Sequence, residues 1–191
     1  MLWINGDTDH SLADGHAFYH AHPFNVGQHV AHNAMLDECM SRGVDWHIRM
    51  DDDCWMTTKN WLNRLLAVQE KVKAITGKYC VLSPNVEGLD NPPPAIRGYE
   101  MGREIIESVE MLGGIFRMSP MSMMRYFRWD ERQAMGFGDA TQFRSFCESV
   151  AADRYRVRTI RCTHGESTQK QSQDADWSHE HDMLQYIPLG L

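Results

Sequence analysis

A change of hydrophobic period within one short stretch does most to limit what this chain can fold into. From Gln28 to Arg42 the apolar residues Val30, Ala31, Ala34, Met35 and Cys39 recur at helical spacing, and Gly43 stands where a helix would end. Val44, Trp46, Ile48 and Met50 then alternate strictly with Asp45, His47 and Arg49. That is the period of a strand, and its C-terminal end delivers Asp51, Asp52 and Asp53. A second helix follows, which Thr57 or Thr58 can cap. Its inward stripe is Trp61, Leu62, Leu65, Leu66, Val72 and Ile75, broken by Gln69 and stopped at Gly77.

The flanking sequence extends this alternation. Leu2-Trp3-Ile4 is a short apolar run stopped by Asn5-Gly6-Asp7, a strand entering a polar turn. Tyr79 to Ser83 reads as a further strand, and Asn91-Pro92-Pro93-Pro94 reads as a loop. Ile96 to Met118 is expected to hold two strands meeting near Gly113-Gly114. Ser119-Pro120 pairs an N-cap with proline at the first helical position, opening a short helix through Tyr126. Another helix is predicted from Ala140 to Ala152 with Phe143, Phe146, Val150 and Ala151 inward, and a last strand from Tyr155 to Arg161. Gly165 to His181 offers Ser, Gln, Asp and His with little to bury.

Alternating strands and helices predict an α/β fold, a mixed but mostly parallel sheet with helices on both faces. Ligands in such sheets collect at the carboxyl ends of strands, where Asp51 to Asp53 stand. A length of 191 residues suits one domain, 1–164, with 165–191 as a polar tail or closing loop. The 26 acidic and 19 basic residues leave a net charge of −7, which argues against a partner held through nucleic acid phosphates. The cysteines, Cys39, Cys54, Cys80, Cys147 and Cys162, are odd in number and lack CxxC spacing, so a reducing, cytoplasmic setting fits best. No window approaches the roughly 18 apolar residues of a membrane span, so no stable membrane insertion is expected.

Three successive carboxylates at a strand end repel one another and destabilise the fold unless something positive binds there. Carboxylate oxygens select hard divalent ions, and a diphosphate can supply the remaining ligands of a manganese or magnesium site. An EF-hand loop counted from Asp51 fails, because Met56 stands where glycine belongs and Leu62 where the bidentate glutamate belongs. His20 and His22, like His179 and His181, form H-x-H pairs, but no further ligands stand at zinc-site spacings. A solvated acidic turn is the plain competing reading of the aspartates.

In order and approximate spacing, the pieces resemble the GT-A fold of family-two glycosyltransferases, from near the N-terminus to His164. LWINGDTD, Leu2 to Asp9, is similar to that family's second strand and turn, with Ile4 where an aspartate is usual. Asn25-Val26-Gly27 and Ala31-His32-Asn33 are similar to its N-x-G and A-x-N elements, and RMDDDCWMTTKNWL, Arg49 to Leu62, to its DxD segment. Leu112 to Arg117, LGGIFR, resembles the glycine-containing strand that lines the donor sugar and acceptor. Phe127-Arg128-Trp129-Asp130-Glu131 and Gly136-Phe137-Gly138-Asp139 resemble its F-D-E segment and its Gly-Glu-Asp element. Arg161 to Gly165, RCTHG, is similar to the place where many members put a C-terminal histidine on the metal. The family's first strand and base-holding loop would precede Leu2 by roughly thirty residues, so the likeness is to an N-terminally shortened member.

The resemblance implies roles by position. Asp51, Asp53 and His164 would hold Mn2+ or Mg2+, with Asp52 as a spare carboxylate. Asn5, Asp7, Asn33 and Arg49 would face the donor, together with Asp51, Asp52, Gly113 and Gly114. Asp139 would be the catalytic base that takes the acceptor hydroxyl's proton in one inverting displacement. Its plain competitor is a helix N-cap. The implied activity is metal-dependent inverting transfer of a sugar from a nucleotide diphosphate donor, a UDP-sugar foremost, to a hydroxyl on a glycan, lipid-linked sugar or protein. Two alternatives stay open: the same chemistry on a modified nucleobase of viral DNA, which the negative charge disfavours, and a non-catalytic nucleotide-sugar-binding module. A homo-oligomer is also left open.

Overall fold

The computed structural model describes residues 2–5, 19–22, 27–51, 54–88, 92–112, 115–132 and 139–165, with side chains left aside for 2–5, 19–22 and 139. The chain forms two compact units, Met1–Ile48 with Met118–Ala152 and Arg49–Arg117 with Asp153–Leu191. The expected tail, 165–191, lies outside the described residues after Gly165.

In the first unit, β1 (Leu2–Asn5) pairs in parallel with β2 (Tyr19–His22). α1 (Gln28–Ser41) has the expected span, and it ends through Arg42 into Gly43 at a φ of 63°. The N–H of Gly43 returns to the Met40 carbonyl, which satisfies one of the carbonyls a helix end leaves open. β3 (Trp46–Met50) begins two residues later than predicted. α3 (Met121–Met124) is capped by Pro120 instead of Ser119, because the preceding strand continues through Pro120. α4 (Asp139–Ser149) buries Phe143 and Cys147. It stops short of the predicted Ala152: Val150 is exposed, and Ala151 turns the chain with a φ of 49°.

The second unit holds β4 (Cys54–Met56), α2 (Trp61–Thr76), β5 (Val81–Glu87), β6 (Ala95–Met101), β7 (Glu104–Val109) and β9 (Arg154–His164). β8 (Phe116–Pro120) precedes α3 and is buried throughout. The main sheet has seven strands in the order β3-β8-β5-β9-β7-β6, with β4 paired to β9. α2 buries Leu65, Val68 and Val72 against this unit, with Gln69 fully enclosed among them. The Gln69 amide donates to the Cys80 carbonyl at 2.8 Å and accepts from the Cys80 N–H at 3.1 Å, so the polar break in the stripe secures the start of β5.

The fold is mixed α/β, and the expected mostly parallel sheet is corrected. β4–β9, β6–β7 and β7–β9 are antiparallel, whereas β5–β9 is parallel. The strand and helix alternation stops after α2. No helix separates β5, β6, β7 and β8 among the described residues, so β6 and β7 join as a hairpin without needing a crossover. That hairpin turns at Gly102-Arg103, with Gly102 at a φ of 67°, and not at Gly113-Gly114, which lie outside the described residues. Pro84 is tolerated within β5 because the register against β9 shifts between Pro84 and Asn85. Among the described residues no helix is long and apolar enough to cross a membrane.

Candidate functional site

The end of β3 builds the site from an unexpected face. Alternation places residues 49 and 51 on one side of the strand, and Arg49 is buried while Met50 is exposed. A buried guanidinium needs an anion, and Arg49 Nη2 donates to Asp51 Oδ1 at 3.2 Å. The Asp51 side chain keeps 30% of its surface exposed. Its N–H donates to the Ile115 carbonyl at 2.9 Å, and its carbonyl accepts from the Cys54 N–H at 3.3 Å. Asp52 and Asp53 lie outside the described residues.

From Cys54 the chain enters β4, antiparallel to the last turn-ward half of β9. Cys54 stands opposite His164, Trp55 opposite Thr163 and Met56 opposite Cys162. Directly opposed residues of an antiparallel pair share a face at about 4.5–5.5 Å between Cβ atoms. The residue that follows Asp53 in sequence is therefore the cross-strand neighbour of His164.

Three further contacts hold this strand end. Thr57 and Thr58, predicted to cap α2, serve β9 instead. The Thr57 N–H donates to the Arg161 carbonyl at 3.1 Å, and Thr58 Oγ1 accepts from the Arg161 N–H at 2.8 Å. Asn60 takes the cap position, at a φ of 55°. On the other side Glu87 is opposite Thr163, and the chain passes into Gly88 at a φ of 94°. A Cβ on Gly88 would come within 2.8 Å of the His164 carbonyl oxygen, so only glycine allows this approach. Burial pushes the Cys162 thiol up, which keeps it protonated.

Between Cys54 and Met56, Trp55 turns to the other side of β4 from Cys54 and is 52% exposed.

Asn33, expected at the donor, has its amide engaged within its own unit. Nδ2 donates to the Trp129 carbonyl at 2.9 Å and to Glu131 Oε1 at 2.8 Å, and Oδ1 accepts from the Trp129 N–H at 3.0 Å. His29 Nδ1 meets the Asp130 carbonyl at 2.8 Å, and Gln142 Oε1 accepts from the Asp130 N–H at 2.8 Å. Asn33 thus positions the Trp129–Glu131 segment. Arg132 holds the Asp130 carboxyl down to about 2. Of the remaining expected residues, Asn5 ends β1 and Asp139 opens α4, both without described side chains, and Asp7, Gly113 and Gly114 lie outside the described residues. Among the described residues no group of three metal-ligating side chains is assembled.

No protein-family model matches the chain, and no curated protein sequence matches it. Its fold is similar to that of a solved structure described as A197 from STIV, at 14% identity and a TM-score of 0.51, over 87% of this chain and 85% of that one.

Proposed function

We propose that the chain is a metal-dependent inverting glycosyltransferase of GT-A type, acting on a nucleotide diphosphate sugar and an acceptor hydroxyl. The observation that carries the reading is the register of β4 on β9, which sets His164 across from Cys54, directly after the acidic strand end. Carboxylate oxygens from Asp51 and Asp53 with an imidazole nitrogen from His164 form a donor set suited to manganese or magnesium. Bound there, such an ion would supply positive charge against a leaving diphosphate.

The chain's own residues divide the remaining work. Arg49, itself buried, holds the partly exposed Asp51 through a hydrogen bond at 3.2 Å. Asp139 takes the proton as the acceptor oxygen bonds to the anomeric carbon and the bond to the diphosphate oxygen breaks on the opposite side, which inverts that centre. The segment from Trp129 to Glu131 is tied down by Asn33 and His29. The odd number of cysteines and their lack of CxxC spacing support a reducing, cytoplasmic setting.

Calorimetry with UDP and with GDP, each with and without manganese, tests the reading. One nucleotide should bind only with the metal, and Asp53→Ala should abolish that binding. Asp139→Asn should keep binding and stop transfer. Binding of neither nucleotide under any metal condition would defeat the proposal, and binding without any donor hydrolysis would reduce the chain to a sugar-nucleotide receptor.

A further inference from the structure

β3 and β8 are neighbours in the main sheet. The Asp51 N–H donates to the Ile115 carbonyl at 2.9 Å, and the Met121 N–H donates to the Asp45 carbonyl at 2.9 Å. Six residues back along β3 thus correspond to six forward along β8, so the strands run antiparallel and Arg49 stands directly opposite Arg117. Directly opposed residues share a face, with Cβ atoms about 4.5–5.5 Å apart. Both side chains are buried, Arg117 at 2% exposure and Arg49 at 6%.

Like charges in such a pair repel, and Arg49 turns its Nη2 to Asp51 Oδ1 at 3.2 Å. Arg117 is the diagonal neighbour of Asp51 on the same face, about 7–8 Å away. We propose that Arg117 is a further positioning residue of the metal seat. With Arg49 it forms a fixed positive pair beside Asp51, which disfavours a bare divalent ion and favours that ion's complex with a diphosphate. The inference rests on the metal and nucleotide reading of the site.

The sign follows from charge. A bare manganese or magnesium ion is doubly positive and is repelled by both guanidiniums, whereas its complex with a nucleotide diphosphate is net negative and is attracted by them. Burial of the two arginines keeps salt from screening the difference away. Asp51, with 30% of its side chain exposed, is the member of the group open to the incoming ion. Arginine suits the role because a guanidinium stays charged even when enclosed.

Two titrations of the full chain test this. Manganese alone is followed by the paramagnetic resonance signal of the free ion, and the manganese complex of UDP or GDP by calorimetry. Arg117→Met and Arg117→Gln both remove the charge, one with an apolar side chain and the other with a polar one. Each should bind manganese alone about tenfold more tightly than the wild type, and the nucleotide complex about threefold to tenfold more weakly. The opposite directions are the deciding sign, because a merely structural arginine would weaken both. Changes in the same direction, no change in either, or loss of folding in both variants would overturn the proposal. A wild type that binds neither manganese nor its nucleotide complex would defeat the functional reading and this inference together. Wild-type binding of the complex, with parallel changes in the variants, would defeat this inference alone.

Discussion

Two groups of carboxylates in the Arg49–Arg117 and Asp153–Leu191 unit face opposite situations. Glu104 on β7 is 5% exposed and enclosed by donors. Arg64 reaches its two oxygens at 2.8 and 2.7 Å, Arg103 adds a contact at 3.0 Å, and the Thr159 hydroxyl donates as well. Arg156 donates twice to one oxygen of Glu107, at 2.6 and 2.9 Å. At the end of β3, in contrast, Asp51 meets Arg49 at 3.2 Å and stays partly exposed. Asp52 and Asp53 follow Asp51 directly in the sequence. The first arrangement cancels its charge from within and steadies the sheet. The second leaves one carboxylate partly open to solvent at a strand end, and under the proposed function it is the one that would meet a cation.

The largest expected effect falls on the closed group. Glu104→Gln strips Arg64 of a bidentate partner in a largely buried setting and should lower stability by about 2–4 kcal/mol, read by urea denaturation. Hydrogen bonds from Arg64 first, then from Thr159, hold the Glu104 carboxyl down to about 2, against 4.5 for the ordinary group. A depressed folded value stabilises the protein fully above pH 4.5, and this contribution drains away as the pH falls toward 2. The wild type should show that acid-side slope, and the variant should lack it. An equal slope in both would end the assignment of Glu104 as the buried anchor.

Next in size is the open group. Asp51→Asn should weaken manganese-dependent nucleotide binding by about tenfold to a hundredfold, equivalent to roughly 1.4–2.7 kcal/mol, and should cost less stability than Glu104→Gln. If Asp51→Asn unfolds the chain as readily while metal affinity stays unchanged, the two carboxylate groups do not differ in kind.

Part of this contrast is readable in the sequence, and the unreadable part has physical causes. The strand that ends at Asp51 shows itself by strict alternation, but alternation does not say which face is buried. His47 and Arg49 are buried and Val44 and Met50 are exposed, because a guanidinium with an anion beside it and an imidazole against Trp129 can be enclosed as well as an aliphatic chain. Thr57 and Thr58 have the chemistry of a helix cap, yet the same hydroxyls satisfy Arg161 in β9, a partner 103 residues away from Thr58. The turn between β6 and β7 is made at Gly102, although Gly113-Gly114 is the more conspicuous turn signal in the sequence. The Glu104–Arg64 and Glu107–Arg156 pairs join residues 40 and 49 apart, and nothing local announces them. His164 could be placed near the acidic turn only through the family pattern, since its cross-strand partner Cys54 belongs to a strand too short to recognise.

The smallest expected effect tests whether His164 is held by shape. Gly88 has a φ of 94°, which an L side chain rarely adopts, and its Cβ would meet the His164 carbonyl oxygen at 2.8 Å. Gly88→Ala therefore forces the backbone of β5 or that of β9 to move, at about 1–2 kcal/mol for the strained dihedral and the displaced contact. If β9 yields, His164 shifts against Cys54, and manganese-dependent nucleotide affinity should fall severalfold beside the loss in stability. If β5 yields alone, stability should fall with affinity intact, and the closeness of Gly88 to His164 would then be a packing feature of the sheet without bearing on the metal. Calorimetry and urea denaturation on the same preparation separate the two outcomes, because a defect in folding lowers the number of binding sites whereas a displaced ligand lowers the affinity of each.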